Sequence, residues 1–577
     1  MWNVLSARLE HVRRWQEGLA ARRADLRELP ERVRTTVRLG QQTGMMWSLT
    51  APGMVELARV LASGSQNPAL IYRVNARNTP SKPALIWRGR TTTWAELDER
   101  IDRLAAGLTR RGIGRKKSVI LMMRNRQEFV ELGAAAARAG AAAVSISWRS
   151  TPKELVYLAT HSGARGIATE PELLSVLEQA KDELPPHFLE NVFVAGASGP
   201  STSGGIRTTA LDTLLEDPAP RGGIDAANDE DAAVVIYTSG TTGKPKGAVR
   251  KFPKDTMQAV FRFLNETPLR VDDVHLVACP LYHSTAFGFM SLSAILGQTV
   301  VLMDEFKAEP FLELVERHAV TTTAVVPTML HRVLSLPLET RKKYDASTLR
   351  AVFSGGAPLP VPVATNFMDA FGDVLFNFYG ATETGLVTLA KPADLRAAPG
   401  TIGKALPGNE IRLLGDDGRE VKAGEVGELY VKNKMLVAGY HDDDAATEQS
   451  MTDGFFSVGD LARRDASGHF FIEGRKRDMV ISGGVNVYPA EVEGVLEQHP
   501  DVAEVAVIGV PDDEWGERVR AFVVKKSGST LDEGLLKVFA RERLAGPKVP
   551  RDYVFLEQLP RNPTGKVLKR ELRGMGP

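Results

Sequence analysis

The most informative segment of the chain is Tyr237-Thr238-Ser239-Gly240-Thr241-Thr242-Gly243-Lys244-Pro245-Lys246-Gly247. It directly follows Ala232-Ala233-Val234-Val235-Ile236, an apolar, β-branched run that predicts a buried strand. Glycines let a backbone approach a ligand closely, hydroxyls donate to oxyanions, and the two lysines supply positive charge. The segment therefore predicts a loop that holds a polyphosphate, with a flexible linker as the alternative.

The loop is not a Walker A motif, which places four residues between its first glycine and the Gly-Lys-Ser/Thr that follows. Here two threonines separate Gly240 from Gly243, and Pro245 follows Lys244. The physics of phosphate binding is shared with P-loop proteins, but the family must differ.

Composition limits the fold class and the function classes. A chain of 577 residues is too long for one hydrophobic core and predicts two or more domains. Lys plus Arg is 72 and Asp plus Glu is 71, so no global charge attracts nucleic acid. The sequence also carries no nucleic-acid-binding signature, and we expect no nucleic-acid partner.

The single cysteine, Cys279, excludes an internal disulfide framework and is consistent with a reducing cytoplasm. Its neighbours, Val277-Ala278 and Pro280, predict a buried thiol. The best apolar segment, residues 132–146, is interrupted by Arg138 and is too short to span a membrane. No signal-peptide pattern is found at the N-terminus, so a cytoplasmic location is expected.

Residues 1–45 differ from the rest of the chain. They contain nine arginines and five acidic residues, a local charge of +4. Apolar residues recur near helical spacing at Trp2, Leu5, Leu9, Val12 and Trp15. The favoured interpretation is a basic amphipathic helix docked on the protein or on a partner subunit. The alternative is a helix that lies peripherally on the inner face of a membrane.

From about residue 69 to residue 234, strand and helix patterns alternate. Ala84–Trp87 predicts a strand, and Thr93 and Glu96 have the spacing of a capping box at the start of a helix. The Gly- and Ser-rich residues 197–205 predict a surface loop. Alternation of this kind predicts a mostly parallel sheet covered by helices.

Six further motifs follow the phosphate loop in order. They are Pro280-Leu281-Tyr282-His283-Ser284-Thr285-Ala286-Phe287-Gly288, Phe353-Ser354-Gly355-Gly356-Ala357-Pro358-Leu359, Phe378-Tyr379-Gly380-Ala381-Thr382-Glu383-Thr384-Gly385, Asp453-Gly454-Phe455-Phe456-Ser457-Val458-Gly459-Asp460, residues 474–489 and residues 559–570. Together with the phosphate loop, this set resembles the adenylate-forming enzymes: acyl-CoA synthetases, peptide-synthetase adenylation domains and firefly luciferases. The resemblance covers roughly residues 50–577.

The resemblance implies an α/β fold with a large multi-sheet N-terminal adenylate-forming domain and a small, mobile α+β C-terminal domain. We expect a helical extension over residues 1–50, the AMP-binding domain over 51–476 and a C-terminal lid over 477–577. Arg477 matches the hinge between the two domains, where relatives usually have Asp or Lys.

The resemblance also assigns a nucleotide site for ATP and AMP. Tyr379 can stack on adenine, the Asp460 carboxylate can accept two hydrogen bonds from a ribose diol, and Glu383 is a hard oxygen ligand that suits Mg²⁺. Thr382 matches a donor to the α-phosphate, and Lys566 matches the family's catalytic lysine. The other nucleotide-binding positions are Thr238, Ser239, Gly240, Thr241, Thr242, Gly243, Lys244, Pro245, Lys246, Gly355, Gly356, Ala357, Phe378, Gly380, Ala381 and Arg475.

Each of these assignments has a purely structural alternative. The loop at Gly355 and Gly356 could be an ordinary strand-to-helix turn, and Asp460 could be a turn aspartate. Lys566 could be one basic residue of a solvated tail, since Lys569 and Arg570 follow closely.

The acyl pocket is assigned to His283, Phe287 and Gly288, and the coenzyme A channel to Ser482, Gly483 and Gly484. No charged residue stands out in the pocket segment, and no aspartate is placed to hold a substrate amine. We therefore predict an apolar acid, a medium- to long-chain fatty acid in first place and an aryl acid as the close competitor.

The implied reaction is that of an AMP-forming acid–thiol ligase. The carboxylate attacks the α-phosphorus of ATP and releases pyrophosphate, and coenzyme A then displaces AMP from the acyl-adenylate. The alternatives are an acyl-AMP ligase that loads a carrier protein and a non-catalytic nucleotide-binding relative. The expected partners are a small carboxylic acid, ATP, Mg²⁺ and coenzyme A, and a homodimer is compatible with the sequence.

Overall fold

The computed structural model describes residues 37–65, 67–216, 218, 234–238, 246–250, 254–381, 383–434, 436, 448, 450–482, 485–512, 515–561 and 567–575. Within these residues, no helix is both long enough and apolar enough to cross a lipid bilayer. The described helices are 37–43, Met45–Ser48, Ala51–Ser63, Leu70–Asn78, Trp94–Arg110, Gln127–Arg138, Pro152–His161, Leu174–Ala180, Pro186–Leu189, Lys254–Asn265, Ser284–Leu296, Ala308–Arg317, Pro327–Leu334, Leu338–Arg341, Val361–Phe371, Pro392–Ala397, Pro489–Leu496, Glu533–Arg541 and Lys569–Gly574.

One sheet of the described chain has eight strands and contains the strand before the phosphate loop. Its spatial order is Lys246–Arg250, Val234–Thr238, Ala142–Ser145, Ser118–Met122, Ala164–Thr169, Val192–Val194, Ile206–Ala210 and Ser201–Ser203. The inner strands are parallel, as the alternation of strands and helices predicts. Thr238 pairs with Lys246, so the two ends of the predicted phosphate loop lie side by side at the sheet edge.

A second sheet has nine described strands and is also mostly parallel. Its spatial order is Lys404–Ala405, Gly385–Ala390, Leu375–Ala381, Ala351–Ser354, Thr322–Val325, Val274–Val277, Thr299–Leu302, Pro83–Trp87 and Arg90–Thr93. Only its edges are antiparallel. Three of the sequence motifs follow strands of this sheet, so the fold brings their loops to one region.

Helices fill the space between these two sheets. One core cluster joins Leu85 and Val300 of the nine-stranded sheet to Val119 and Leu121 of the eight-stranded sheet. The helices that supply the rest of this cluster include Trp94–Arg110, which begins at the predicted capping box. The Thr93 hydroxyl accepts from the Glu96 backbone N–H and the Glu96 carboxylate accepts from the Thr93 N–H, which confirms that prediction.

A third sheet is antiparallel throughout and has five described strands. Its members are Glu410–Leu414, Val426–Lys432, Phe455–Arg464, Met451–Thr452 and Phe470–Arg475. The register between Phe455–Arg464 and Phe470–Arg475 sets Asp460 directly opposite Arg475. This pairing joins two motifs that are separate in the sequence.

The C-terminal part of the chain forms a compact α+β unit with its own core. Its sheet consists of Val485–Val487, Val480–Ser482, Gly516–Lys525, Val502–Asp512 and Asp552–Leu556. Helices Pro489–Leu496 and Glu533–Arg541 pack on this sheet. The predicted fold class, a large multi-sheet N-terminal domain with a small C-terminal one, is confirmed.

The segment between the two units, residues 476–478, forms ion pairs with both of them. Lys476 donates to Glu428 of the third sheet at 2.9 Å, and Arg573 of the last helix donates to Asp478 at 2.7 Å. Arg477 lies between these two anchors in a short 3-10 turn, Lys476–Asp478. Helix Pro489–Leu496 packs against strand Phe470–Arg475, so the C-terminal unit contacts the third sheet close to the predicted hinge.

The predicted surface loop at residues 197–205 is only partly a loop. Ser201–Ser203 forms an edge strand paired antiparallel with Ile206–Ala210. Gly204 and Gly205 have φ of 56° and 85°, which lets the chain reverse within two residues. The Gly- and Ser-rich composition therefore marks a tight hairpin at the edge of the eight-stranded sheet. Cys279 is buried, as predicted.

Candidate functional site

One continuous cavity of about 2860 Å³ runs between the sheets and opens toward the C-terminal unit. Most of the predicted site residues that the structure describes lie on its wall: Gly356, Ala357, Phe378, Tyr379, Gly380, Ala381, Glu383, Asp460, Arg475, Arg477, His283, Phe287 and Gly288. Motifs that are far apart in the sequence thus meet in one place.

The side chains of this wall come from different parts of the chain, and the fold alone brings them together. His283 precedes a helix of the N-terminal unit, and Arg477 lies in the turn before the C-terminal unit. The cavity is therefore the place where the separate motifs can act on one ligand.

A tight hairpin fixes Glu383 on this wall. It joins strands Leu375–Ala381 and Gly385–Ala390, and a Cβ at Gly380 would come within 2.0 Å of the Gly385 carbonyl oxygen. The Thr384 hydroxyl accepts from the Ala381 N–H at 3.0 Å, which closes the turn. Glu383 is only 8% exposed, and it lies at the cavity wall. The two glycines of the motif thus serve the turn that presents the carboxylate.

Tyr379, Asp460 and Arg475 form a connected polar group. The Tyr379 hydroxyl donates to Asp460 Oδ2 at 2.7 Å, and Arg475 Nε lies 3.2 Å from Asp460 Oδ1. Burial, and next the charge of Asp460, raises the pKa of Tyr379 well above its ordinary value, so its hydroxyl remains a donor. Each carboxylate oxygen has a second lone pair, which leaves Asp460 able to accept from a ligand hydroxyl.

The loop predicted to hold adenine packs one of its glycines against an aromatic ring of the protein. The sequence predicts that bare backbone at Gly355 and Gly356 lies against a flat ring of the ligand. In the structure a Cβ at Gly355 would come within 2.4 Å of the Phe378 ring, so that face is covered by the protein itself. Gly356 has φ of 78° and lies on the cavity wall, as does Ala357.

Three helices near the acyl-pocket motif line the cavity with uncharged residues, whereas Arg149 and Glu305 line it close to Tyr282 of the motif. Helix Ser284–Leu296 supplies Phe287 and Gly288, and a Cβ at Gly288 would meet no atom within 4 Å. Helices Leu70–Asn78 and Gln127–Arg138 supply further wall residues, among them Ile71, Val74, Phe129, Val130 and Ala134. These three helices are described throughout, and none of their wall residues is charged.

Two asparagines of the cavity wall are engaged with the protein. Asn75 donates to the Ala294 carbonyl oxygen at 2.7 Å. Asn125 donates to the Cys279 and Met303 carbonyl oxygens and accepts from the Leu281 N–H at 2.7 Å. The wall formed by the three helices thus suits an apolar group and offers no partner for a charged one.

The C-terminal unit contributes a cluster of carboxylates to the cavity that the sequence motifs do not indicate. Glu493 binds Lys569 at 2.7 Å and Glu504 binds Arg561 at 3.0 Å. No cation of the described chain forms an ion pair with Glu497, the residue after helix Pro489–Leu496. Burial, and next the charges of Glu493 and Glu504, raises the pKa of Glu497 to about 8.

This raised pKa predicts a pH-dependent gain of stability in Glu497→Gln. The unfolded chain releases the proton near its ordinary pKa of 4.5, whereas the folded chain holds it up to about pH 8, so stability falls as the pH rises between these values. Glutamine removes this penalty. We expect a melting temperature above that of the wild type by roughly 4 °C or more at pH 8 and little difference at pH 4.5.

The matched control for this measurement is Glu542→Gln, whose side chain is 63% exposed and pairs with Arg543. It should show no such dependence on pH. Equal shifts for Glu497→Gln at both pH values would contradict the raised pKa.

Several predicted site residues lie outside the described residues: Ser239, Gly240, Thr241, Thr242, Gly243, Lys244, Pro245, Thr382, Gly483, Gly484 and Lys566. The same holds for residues 1–36 of the predicted extension. Thr238 and Lys246 are described as the paired strand ends on either side of the phosphate loop. Ser482 is buried in the sheet of the C-terminal unit and is not part of the cavity wall.

Residues that flank position 566 face the cavity. Arg561 and Val567 form an isolated bridge, and both belong to the cavity wall together with Lys569. On the opposite side of the same cleft, His331 lies close to Glu504 and Arg561, and burial lowers the pKa of its imidazole. The face of the C-terminal unit that carries Arg561 and Val567 is therefore turned toward the cavity, whereas Ser482 lies away from it.

Comparison with known proteins agrees with this geometry. A family model described as AMP-binding enzyme matches residues 72–441, and one described as AMP-binding enzyme C-terminal domain matches residues 491–566. The chain is 34% identical over 496 residues to an indoleacetate–CoA ligase of Aromatoleum aromaticum, and the match covers 86% of this chain and 95% of the relative. It is 33% identical over 506 residues to a fatty acid–[acyl-carrier-protein] ligase, ScoC, of Streptomyces coeruleorubidus, and this match covers 86% and 94% of the two chains.

Among solved structures, the anthranilate CoA ligase AuaEII in complex with anthranoyl-AMP is similar with a TM-score of 0.80. The sequence identity is 27%, and the match covers 88% of this chain and 96% of that chain. The similarity therefore extends over both units of the fold.

Proposed function

We propose that this chain, which belongs to the family of AMP-binding enzymes, is an acid–thiol ligase that activates an apolar carboxylic acid with ATP and transfers it to coenzyme A. The observation that carries the proposal is the meeting of Tyr379, Glu383, Asp460 and Arg475 on the wall of a cavity that is also lined by three helices without charged wall residues. The four residues supply polar contacts for a nucleotide, and the three helices border space for the acid.

The chemical problem is that a carboxylate is a poor electrophile. In the first step a carboxylate oxygen attacks the α-phosphorus of ATP, the bond from that phosphorus to the β-bridging oxygen breaks, and pyrophosphate leaves. In the second step a thiol sulfur attacks the acyl carbon, the carbon–oxygen bond to AMP breaks, and the thiol proton is lost to solvent. No protein nucleophile is needed, so the protein contributes positioning and electrostatic stabilisation.

We assign each site residue a role in positioning or in charge stabilisation according to its place in the cavity. Asp460, held by Tyr379 and Arg475, accepts hydrogen bonds from the ribose hydroxyls. We assign Arg475 to add positive charge beside the nucleotide and Tyr379 to stack on the adenine. Lys566 and the loop at 239–245 are assigned to the oxygens that become negative when pyrophosphate leaves, because they supply charge and donors.

Glu383 is the residue that we assign to Mg²⁺. The described residues include no group of three His, Cys, Asp or Glu side chains that could hold a metal by themselves. A single buried carboxylate at a nucleotide cavity fits Mg²⁺, which binds through one or two carboxylates together with substrate phosphates. When bound, the ion would neutralise charge that develops on the phosphate oxygens.

The acid that we propose is an aryl or arylalkyl acid. The names of two relatives refer to indoleacetate and to anthranilate, and the wall around Gly288 is apolar and includes the aromatic residues Phe129 and Phe287. A medium- to long-chain fatty acid is the second candidate. It is supported by the name of ScoC, and by the size of the cavity, whose apolar wall residues also include Leu57 and Val60.

The decisive assay measures AMP release from ATP in the presence of coenzyme A across a panel of aryl and fatty acids. We expect at least one apolar acid to give AMP release that depends on coenzyme A, and that result would exclude a ligase that only loads a carrier protein. Absence of pyrophosphate exchange into ATP with every acid tested would overturn the proposed function.

Enlarging Gly288 tests the position of the acyl pocket. The Gly288→Leu side chain would project into open cavity, and replacement of a glycine within a helix favours the helix, so the fold should persist. We expect kcat/KM for the bulkiest accepted acid to fall at least about tenfold, while that for the smallest accepted acid changes by less than about threefold.

Gly574→Leu is the control for this variant. Gly574 is also a helix residue, and a Cβ there also meets no atom within 4 Å, but it is not part of the cavity wall. It should leave the acid preference unchanged. An equal loss for all acids in Gly288→Leu would show that Gly288 does not limit the acid.

A further inference from the structure

Helix Ala51–Ser63 presents an apolar outer face to solvent. Met54, Val55 and Leu61 are 51%, 59% and 72% exposed, and Trp47, shortly before the helix, is 79% exposed. The helix contains two charged residues, Glu56 and Arg59, and these bind each other. A surface helix ordinarily carries its charged residues on the solvent side, so this face is unusual for an aqueous surface. We call Trp47, Met54, Val55 and Leu61 the Trp47 patch.

The inner side of the same helix borders the cavity. Leu57 and Val60 belong to the cavity wall, together with Leu49 just before the helix, and Leu61 of the patch reaches the same wall. This cavity also contains Gly288 and the residues around the nucleotide site. A single helix therefore separates an exposed apolar surface from the apolar end of the cavity.

The segment of the sequence that contains this patch is strongly basic. Residues 1–78 contain twelve arginines, no lysine and six acidic residues, a charge of +6, whereas the whole chain carries +1. The remaining 499 residues therefore carry −5. Three of these arginines, Arg38, Arg59 and Arg77, are exposed in the structure. The positive charge is concentrated in the same part of the sequence as the apolar surface.

We propose that the Trp47 patch docks on an anionic lipid bilayer surface, which places the apolar end of the cavity next to the source of a membrane-dissolved acid. Exposed Trp and aliphatic side chains enter the interfacial layer of a bilayer, and arginines bind anionic headgroups. A second copy of the chain is a poorer occupant, because a symmetric contact would bring together two copies of residues 37–78, which contain four arginines and one glutamate. The docking itself does not depend on the proposed function, but the delivery of an acid does.

The test uses the full-length chain and extruded vesicles of phosphatidylcholine, with and without an equal share of phosphatidylglycerol. We expect cosedimentation with the anionic vesicles, weakened by high salt. The variant Trp47→Ser, Met54→Glu, Val55→Glu should partition at least about tenfold less. None of these three residues is part of the cavity wall, so pyrophosphate exchange with a water-soluble acid should remain at the wild-type level.

The matched control is Leu535→Glu, Val538→Glu on helix Glu533–Arg541. These two residues are 55% and 58% exposed, so the change in surface polarity is similar at a distant site. The control should bind vesicles as the wild type does. Equal binding of both variants, or no binding of the wild type, would overturn the proposal.

Two further outcomes identify other modes of contact and would also overturn the proposal. Sedimentation equilibrium that shows a dimer in the wild type and a monomer in the patch variant would assign the patch to a second copy. Vesicle binding that is lost on removal of residues 1–36 and kept in the patch variant would assign the contact to that segment. Vesicle binding without any pyrophosphate exchange would leave the docking in place and remove only the proposed function.

Discussion

Lys566→Ala is expected to lower the rate of acyl-adenylate formation by at least about 10²- to 10³-fold, the usual loss when one donor to a developing negative charge is removed. The neighbours of this lysine, Val567 and Lys569, belong to the cavity wall, so we expect its charge to act where pyrophosphate leaves. In the second step the new negative charge appears on the phosphate of the departing AMP, and no pyrophosphate leaves, so the charge to which we assign Lys566 does not form. When acyl-adenylate is supplied, transfer to coenzyme A should therefore remain within about threefold of the wild-type rate.

The control variant for this prediction is Lys569→Ala. Lys569 is three residues further along and binds Glu493 at 2.7 Å, so its charge is already neutralised within the C-terminal unit. Both half-reactions should survive its removal. Equal loss of both half-reactions in Lys566→Ala would contradict the assignment of this lysine to the first step, as would an equally inactive Lys569→Ala.

Asp460→Ala is expected to lower ATP-dependent pyrophosphate exchange by about 10²- to 10³-fold, because it leaves the charge of Arg475 without its partner and removes the acceptor for the ribose. Asp460→Asn keeps the shape and one acceptor oxygen but loses the ion pair, so it should fall between the alanine variant and the wild type. Calorimetric titration with ATP would measure the loss of nucleotide binding separately from the loss of rate.

Tyr379→Phe provides a graded comparison at the same site. It removes one hydrogen bond to Asp460 but keeps the ring and the ion pair with Arg475, so a loss of about three- to tenfold is expected. Asp465→Asn, which lies in the turn that follows the strand of Asp460 and binds His469, should leave ATP binding unchanged. An Asp460→Ala variant no worse than Tyr379→Phe would remove Asp460 from the nucleotide site.

Local sequence patterns predict the parts of the fold that depend on residues close together in the chain. The β-branched runs form the predicted parallel strands, and the capping box at Thr93 begins a helix because both of its partners lie within one turn. The motifs also identify the family, because the residues that characterise each motif lie within a few positions of one another in the sequence. The boundaries at residues 50 and 476 remain predictions.

Contacts between distant segments were not predictable in the same way. Asp460 and Tyr379 are 81 positions apart, and only the sheet register and the hairpin bring them together. The contact between Gly355 and the ring of Phe378 is likewise not visible in the local sequence, and the assignment of Gly355 to the nucleotide stays a prediction. The pKa of Glu497 is raised first by burial and then by the charges of Glu493 and Glu504, and Glu504 belongs to the following strand. The Trp47 patch is not predictable from the sequence, because the sequence does not show which apolar residues of helix Ala51–Ser63 stay exposed.

The anchors on either side of Arg477 restrict how the two units can move. Lys476 is tied to Glu428 in one unit, and Asp478 is tied to Arg573 in the other. With both neighbours restrained, we expect a change of orientation at the predicted hinge to use the few backbone torsions of Arg477. Such a hinge allows a small number of preferred orientations, whereas a flexible linker would allow many. The preferred backbone torsions of Arg477 would then decide which orientation of the two units, and so which chemical step, comes first.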